Sequence, residues 1–154
     1  MIQRIQTVYL FLAEILIGLL FFVPFAEISA KEGNIYRVDL QGIHILGTTQ
    51  NELFQRNWLI LVIWAVCLVM LFSAIFMFKN RKLQKRVSII NSLLSMILSG
   101  LIFLKVWMTA QQLTGHYSLT LYLVFPVISA ILIYLAINAI GKDELLVRSI
   151  DRIR

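Results

Sequence analysis

Four apolar stretches, each long enough to cross a lipid bilayer, occupy most of this chain of 154 residues. They run over residues 5–26, 58–78, 87–107 and 119–140. A helix rises about 1.5 Å per residue, so ~20 apolar residues cover a hydrocarbon layer of ~30 Å. No water reaches that layer to bond an open amide, so each stretch is expected to satisfy its backbone internally, as a helix. Composition agrees: 60% of the residues are hydrophobic and 14% charged, with a mean hydropathy of +0.85. Too few polar side chains remain to cover a water-soluble globule. The expected fold is an all-α membrane protein, one domain over 1–154 with four transmembrane helices in a four-helix bundle.

The connections carry the remaining signals. In the loop 27–57, the turn-forming cluster Lys31-Glu32-Gly33-Asn34 precedes a β-prone run broken by Gln41-Gly42. Strands over 35–40 and 43–46 around a tight turn predict a small β-hairpin. A lone hairpin is marginal in water, so it is expected to lean on the membrane or a partner. Residues 50–57 read as a helical lead-in to the second span, and 109–118 as an uncharged tight link. Pro126 is expected to kink the fourth span and free the carbonyl of Tyr122. In the tail 141–154, Leu146, Ile150 and Ile153 share a face and Glu144 stands four residues before Arg148. That pattern predicts a short amphipathic helix.

Cations are distributed unevenly. Arg4, Lys79, Arg81, Lys82, Lys85, Arg86, Lys142, Arg148, Arg152 and Arg154 would lie on one side, against Lys31, Arg37 and Arg56 on the other. The positive-inside bias then puts both termini and the 79–86 connection in the cytoplasm, and the hairpin loop outside. The net charge of +6 is accounted for by this bias and by contact with anionic lipid; no stacking aromatic in the 79–86 connection supports nucleic-acid binding. The N-terminal run resembles a secretory signal, but it exceeds twenty residues and holds Glu14. It is expected to be a retained anchor. Trp58, Trp107, Tyr117 and Tyr122 fall where an outer aromatic belt would sit.

Chemistry-bearing residues are sparse. Glu14 lies near the expected bilayer midplane, where an acid is rare and faces protein or water. It is expected to point inward and hydrogen-bond Ser95, Ser99 or Tyr134, making a candidate intramembrane polar site. Ser88, Ser92, Ser95 and Ser99 fall on one face of the third span, the pattern of a close helix–helix seam. Lys105 stands near the outer end of its span and is expected to snorkel outward. His44 and His116 have no metal-ligand spacing, and the lone Cys67 can form no internal disulfide. No catalytic, metal or cofactor-binding residue is assigned.

The opening Met1-Ile-Gln-Arg-Ile-Gln-Thr-Val-Tyr-Leu10, the proline near the end of the first apolar run, and the ending Lys142-Asp-Glu-Leu-Leu-Val-Arg-Ser-Ile-Asp-Arg-Ile-Arg154 form a pattern over the whole chain. It resembles a Bacteroidetes four-span membrane-protein family catalogued as domain of unknown function 4293. The resemblance implies an inner-membrane protein and no particular chemistry. Gln3, Arg4, Arg148, Asp151 and Arg152 fall in its matching ends and form a candidate partner surface.

Together these readings point to a non-enzymatic inner-membrane protein, an accessory or scaffold subunit of a cell-envelope complex. Its expected partners are the bilayer and a membrane protein or a second copy. The alternative is a small carrier or sensor with a proton or ligand site around Glu14 and the Ser92/Ser95/Ser99 seam.

Overall fold

The computed structural model describes residues 2–30, 34–46, 53–77 and 80–151. Among these, the chain forms α1 (Ile2–Leu19), β1 (Ala26–Ser29), β2 (Ile35–Val38), β3 (Gly42–Leu46), β4 (Leu53–Arg56), α2 (Trp58–Phe76), α3 (Arg81–Gln112), β5 (His116–Leu119) and α4 (Phe125–Asp151). Mostly helical, it also carries a small antiparallel sheet, larger than the expected single hairpin.

The helices have apolar exteriors. Phe11, Val69, Phe72, Leu93, Ile97 and Ile131 are exposed on them, while Gln84, Ser88, Asn91, Ser95 and Ser129 are buried among them. This inversion is what a lipid solvent asks for, since apolar side chains gain nothing by leaving hydrocarbon. By length and composition, α2, α3 and the segment Leu121–Lys142 are able to cross a membrane; the apolar part of α1, Ile5–Leu19, is shorter. It extends only about 22 Å. Each helix packs on two neighbours, in the ring α1–α2–α3–α4, so α1 and α3 stand diagonally.

The first apolar run, expected as one helix over 5–26, divides. α1 ends at Leu19, and the amides of Leu20, Phe21 and Phe22 bond back three residues, tightening the last turn. Pro24 then disfavours the helical region for Val23 and cannot donate to a helix. Phe25 enters the sheet: its amide donates to the Val38 carbonyl (2.8 Å), and its carbonyl accepts from Thr120 (3.0 Å).

The expected hairpin is present as β2–β3, with Tyr36 opposite Ile45 and Val38 opposite Ile43. Asp39 shapes its turn by accepting from the amides of Gln41 and Gly42, both at 2.9 Å. It is not isolated, however. The strand order is β4-β3-β2-β1-β5, so the hairpin is the middle of a five-stranded sheet. Of the expected helical lead-in 50–57, residues 53–56 form β4, and residues 50–52 lie outside the described residues. The expected tight link 109–118 instead yields β5, which pairs with β1 in the register Ile28 to Tyr117. Burial alternates along the strands: Ala26, Ile28, Tyr36 and Val38 are buried, while Glu27 and Arg37 lie on the other face and pair at 3.4 Å. Both partners are nearly half exposed, so that pair contributes little.

Three further expectations are corrected. Pro126 lies in the first turn of α4, where its missing N–H is not needed, so it starts a helix rather than kinking one. A 3-10 turn, Leu121–Val124, leads in, and the Tyr122 carbonyl accepts from the Phe125 amide. The 79–86 connection is shorter than expected, because α3 begins at Arg81 and includes four of its five cations. The tail is no separate helix; α4 runs through Gly141 to Asp151, a length of about 40 Å.

Candidate functional site

Every neighbouring helix pair is joined by a polar side chain donating to a backbone carbonyl of the next helix. Trp64 Nε1 of α2 reaches the Ile17 carbonyl of α1 at 2.7 Å. Asn91 Nδ2 of α3 reaches the Cys67 carbonyl of α2 at 3.1 Å, and Gln84 Nε2 reaches Ala74 at 3.0 Å. Ser92 Oγ of α3 donates to Ala130 of α4 (3.3 Å), and Ser129 Oγ of α4 to Ala13 of α1 (3.3 Å). A helical carbonyl already accepts from the amide four residues on, or three in a tightened last turn as at Ile17, and these donors use its second lone pair.

Those bonds also fix relative height. Ser92 stands level with Ala130, Ser129 with Ala13 beside Glu14, and Asn91 with Cys67. A polar layer therefore crosses all four helices, at the middle of α2, about a third of the way along α3 and in the second turn of α4. The buried stripe of α3 begins with the polar Gln84, Ser88, Asn91 and Ser95, continues as Leu98, Ile102 and Val106, and ends at the sheet with Thr109 and Ala110. Sequence inspection of the serines alone misses Gln84 and Asn91. The signal was available: Asn91 is three residues after Ser88 and four before Ser95, the spacing of one helix face.

Several buried polar atoms of this interior have no hydrogen-bond partner among the described residues: Gln6 Nε2, Glu14 Oε2, Ser88 Oγ, Asn91 Oδ1 and Ser95 Oγ. The bond expected from Glu14 to Ser95, Ser99 or Tyr134 is not formed by its buried oxygen. Tyr134 is 58% exposed on the outside of α4, and Ser99 is half-buried. Ser95 turns toward α2, where its hydroxyl lies beside the Cys67 thiol without an ordinary hydrogen bond. The reason is ring order. Depth along each helix puts Glu14 and Ser95 at similar heights, but α1 and α3 are diagonal, so equal depth does not mean contact.

At the sheet end, Lys105 Nζ donates to Gln55 Oε1 of β4 at 2.9 Å. The guanidinium of Arg56 lies 4.3 Å from the centre of the Trp58 ring. His44 pairs with Asp39 at 3.3 Å on β3, whereas His116 is on β5, three strands away. Among the described residues no group of three or more His, Cys, Asp or Glu is placed to hold a metal. At the opposite end, the backbones of Gln3, Arg4, Arg148 and Asp151 are helical, but their side chains lie outside the described part, and Arg152 lies outside the described residues altogether.

No curated protein matches this chain. The chain does match a family: over residues 2–153, nearly its whole length, it belongs to the domain of unknown function family DUF4293.

Proposed function

We propose that this chain is a non-enzymatic subunit of a bacterial inner-membrane complex, with both termini cytoplasmic and the sheet outside. Its role is accessory or scaffolding, and it acts through contact with a membrane-protein partner or a second copy rather than with nucleic acid or a cofactor. The observation that carries this reading is the sheet. It is stitched from two connections far apart in sequence, with Ser118 Oγ of β5 donating to the Glu27 carbonyl of β1 at 3.4 Å. Such a sheet forms a firm platform on the helix ends. Its edge strand β5, His116-Tyr117-Ser118-Leu119, is exposed throughout and carries no Asp, Glu, Lys or Arg. An uncharged edge is a template for a further strand.

Affinity purification in mild detergent, with identification of co-purifying protein, tests the reading. A defined partner or a stable oligomer is expected. Tyr117→Lys, which places a charge in the edge strand, and Arg148→Glu with Arg152→Glu should weaken that association while leaving insertion intact. Purification as a lone monomer would remove the proposal.

The unpartnered polar atoms of the interior favour a second reading, a carrier or sensor with its site around Glu14. Under the scaffold reading, Glu14→Gln is mild, because the amide keeps the size and hydrogen-bonding reach of the side chain. Loss of solute binding or uptake by Glu14→Gln protein in liposomes would instead establish the carrier.

A further inference from the structure

A cavity of about 380 Å³ lies where α2 and α3 meet the sheet. Leu101, Leu104 and Met108 of α3 contribute its apolar wall, at positions i, i+3 and i+7 of one helix face. Lys105, at i+4 of the same row, brings its ammonium to the rim beside Gln55, and Arg56 stands at the rim over Trp58. Among the described residues neither cation has a carboxylate partner. The site thus combines a greasy trough running toward the middle of the helices with two positive charges at the depth where helix gives way to sheet.

We propose that this cavity binds one anionic phospholipid, with its phosphate between Arg56 and Lys105 and the upper part of an acyl chain along Leu101, Leu104 and Met108. The chemistry of each group fits. A guanidinium stacked on an indole keeps its in-plane N–H groups free, and these match the oxygens of a phosphate in pairs. Lysine adds a point charge. Trp58, 60% exposed, has the amphipathic ring that favours headgroup depth. A zwitterionic lipid carries its own ammonium beside the phosphate, which would face two further cations. A net-negative headgroup has no such penalty and is the better complement. The volume is of the size that accepts a headgroup with part of a chain rather than an isolated ion.

Native mass spectrometry of the detergent-purified protein, titrated separately with phosphatidylglycerol and phosphatidylcholine of identical chains, tests the proposal. One phosphatidylglycerol should bind more tightly than the others and than phosphatidylcholine. Arg56→Gln with Lys105→Gln should weaken it about thirtyfold, as expected for removing two headgroup contacts. Arg37→Gln, a cation on the far face of the sheet, should leave it unchanged, and Lys105→Arg should retain it. Inorganic phosphate at millimolar concentration should not displace the lipid. Equal binding of the two lipids, an unaffected double variant, or displacement by free phosphate would each overturn the assignment.

Discussion

Thr114 and Gly115 show how much two adjacent residues decide. α3 closes with a Schellman arrangement: the Thr114 amide donates to Gln111 (3.3 Å) and the Gly115 amide to Ala110 (3.2 Å). The left-handed position is usually glycine, yet here it is Thr114, with φ of 44°. Glycine comes one residue later for a different reason. A Cβ on Gly115 would sit 2.5 Å from the Ser29 carbonyl oxygen of the neighbouring strand. Thr114→Gly should therefore stabilise the protein by about 0.5 kcal/mol, the relief of left-handed strain being partly offset by glycine's greater chain entropy. Gly115→Ala should destabilise it by about 1–3 kcal/mol, because β5 must move away from β1. Thermal unfolding midpoints in detergent should shift in opposite directions for the two variants.

Among elements, α3 is the most instructive, since its serines share a spacing but not a role. Ser92 donates to α4, whereas Ser88 and Ser95 are buried without a partner. Ser92→Ala, and likewise Ser129→Ala on α4, should each lose about 0.6 kcal/mol, the average of an interhelical bond in a membrane protein. Ser88→Ala removes a desolvated hydroxyl that bonds nothing, so it should be neutral or stabilise by up to about 1 kcal/mol. Unfolding of the single variants in one detergent checks the contrast; equal losses at all sites would show that spacing rather than partnership sets the energetics. The four cations at the start of α3 oppose its helix dipole. Under the proposed orientation, headgroup contact on the cytoplasmic side offsets that cost.

For the whole molecule, helix directions put the described ends on two levels. The start of α1, the α2–α3 turn and the end of α4 lie away from the sheet. The sheet itself receives the end of α1, the start of α2 and the connection between α3 and α4. Trp58, Trp107, Tyr117 and Tyr122 all belong to the sheet end. In a Cys67→Ala background, Gln41→Cys in the hairpin turn should react with impermeant reagent only from outside the cell, and Asn80→Cys only from the cytoplasmic side. Reactivity of both from one side would reject the proposed orientation.

The sequence by itself determined the apolar, membrane-length character of the helices, their approximate positions, the charge asymmetry and the β2–β3 hairpin. Each depends on local pattern: an apolar run of sufficient length, a cluster of Lys and Arg, or Gln41-Gly42 between two β-prone runs. It could not place the end of α1, because an apolar run over residues 20–26 has the same hydropathy as a helix or as a buried strand. Leu20, Phe25 and Ala26 are all fully buried, but in the approach to a sheet. Nor could it pair β5 with β1, or rank Ser92 above Ser88. Those outcomes depend on which segments become neighbours in the ring and across the sheet, and only the tertiary structure decided them, because partners so far apart in sequence leave no periodic trace in either segment.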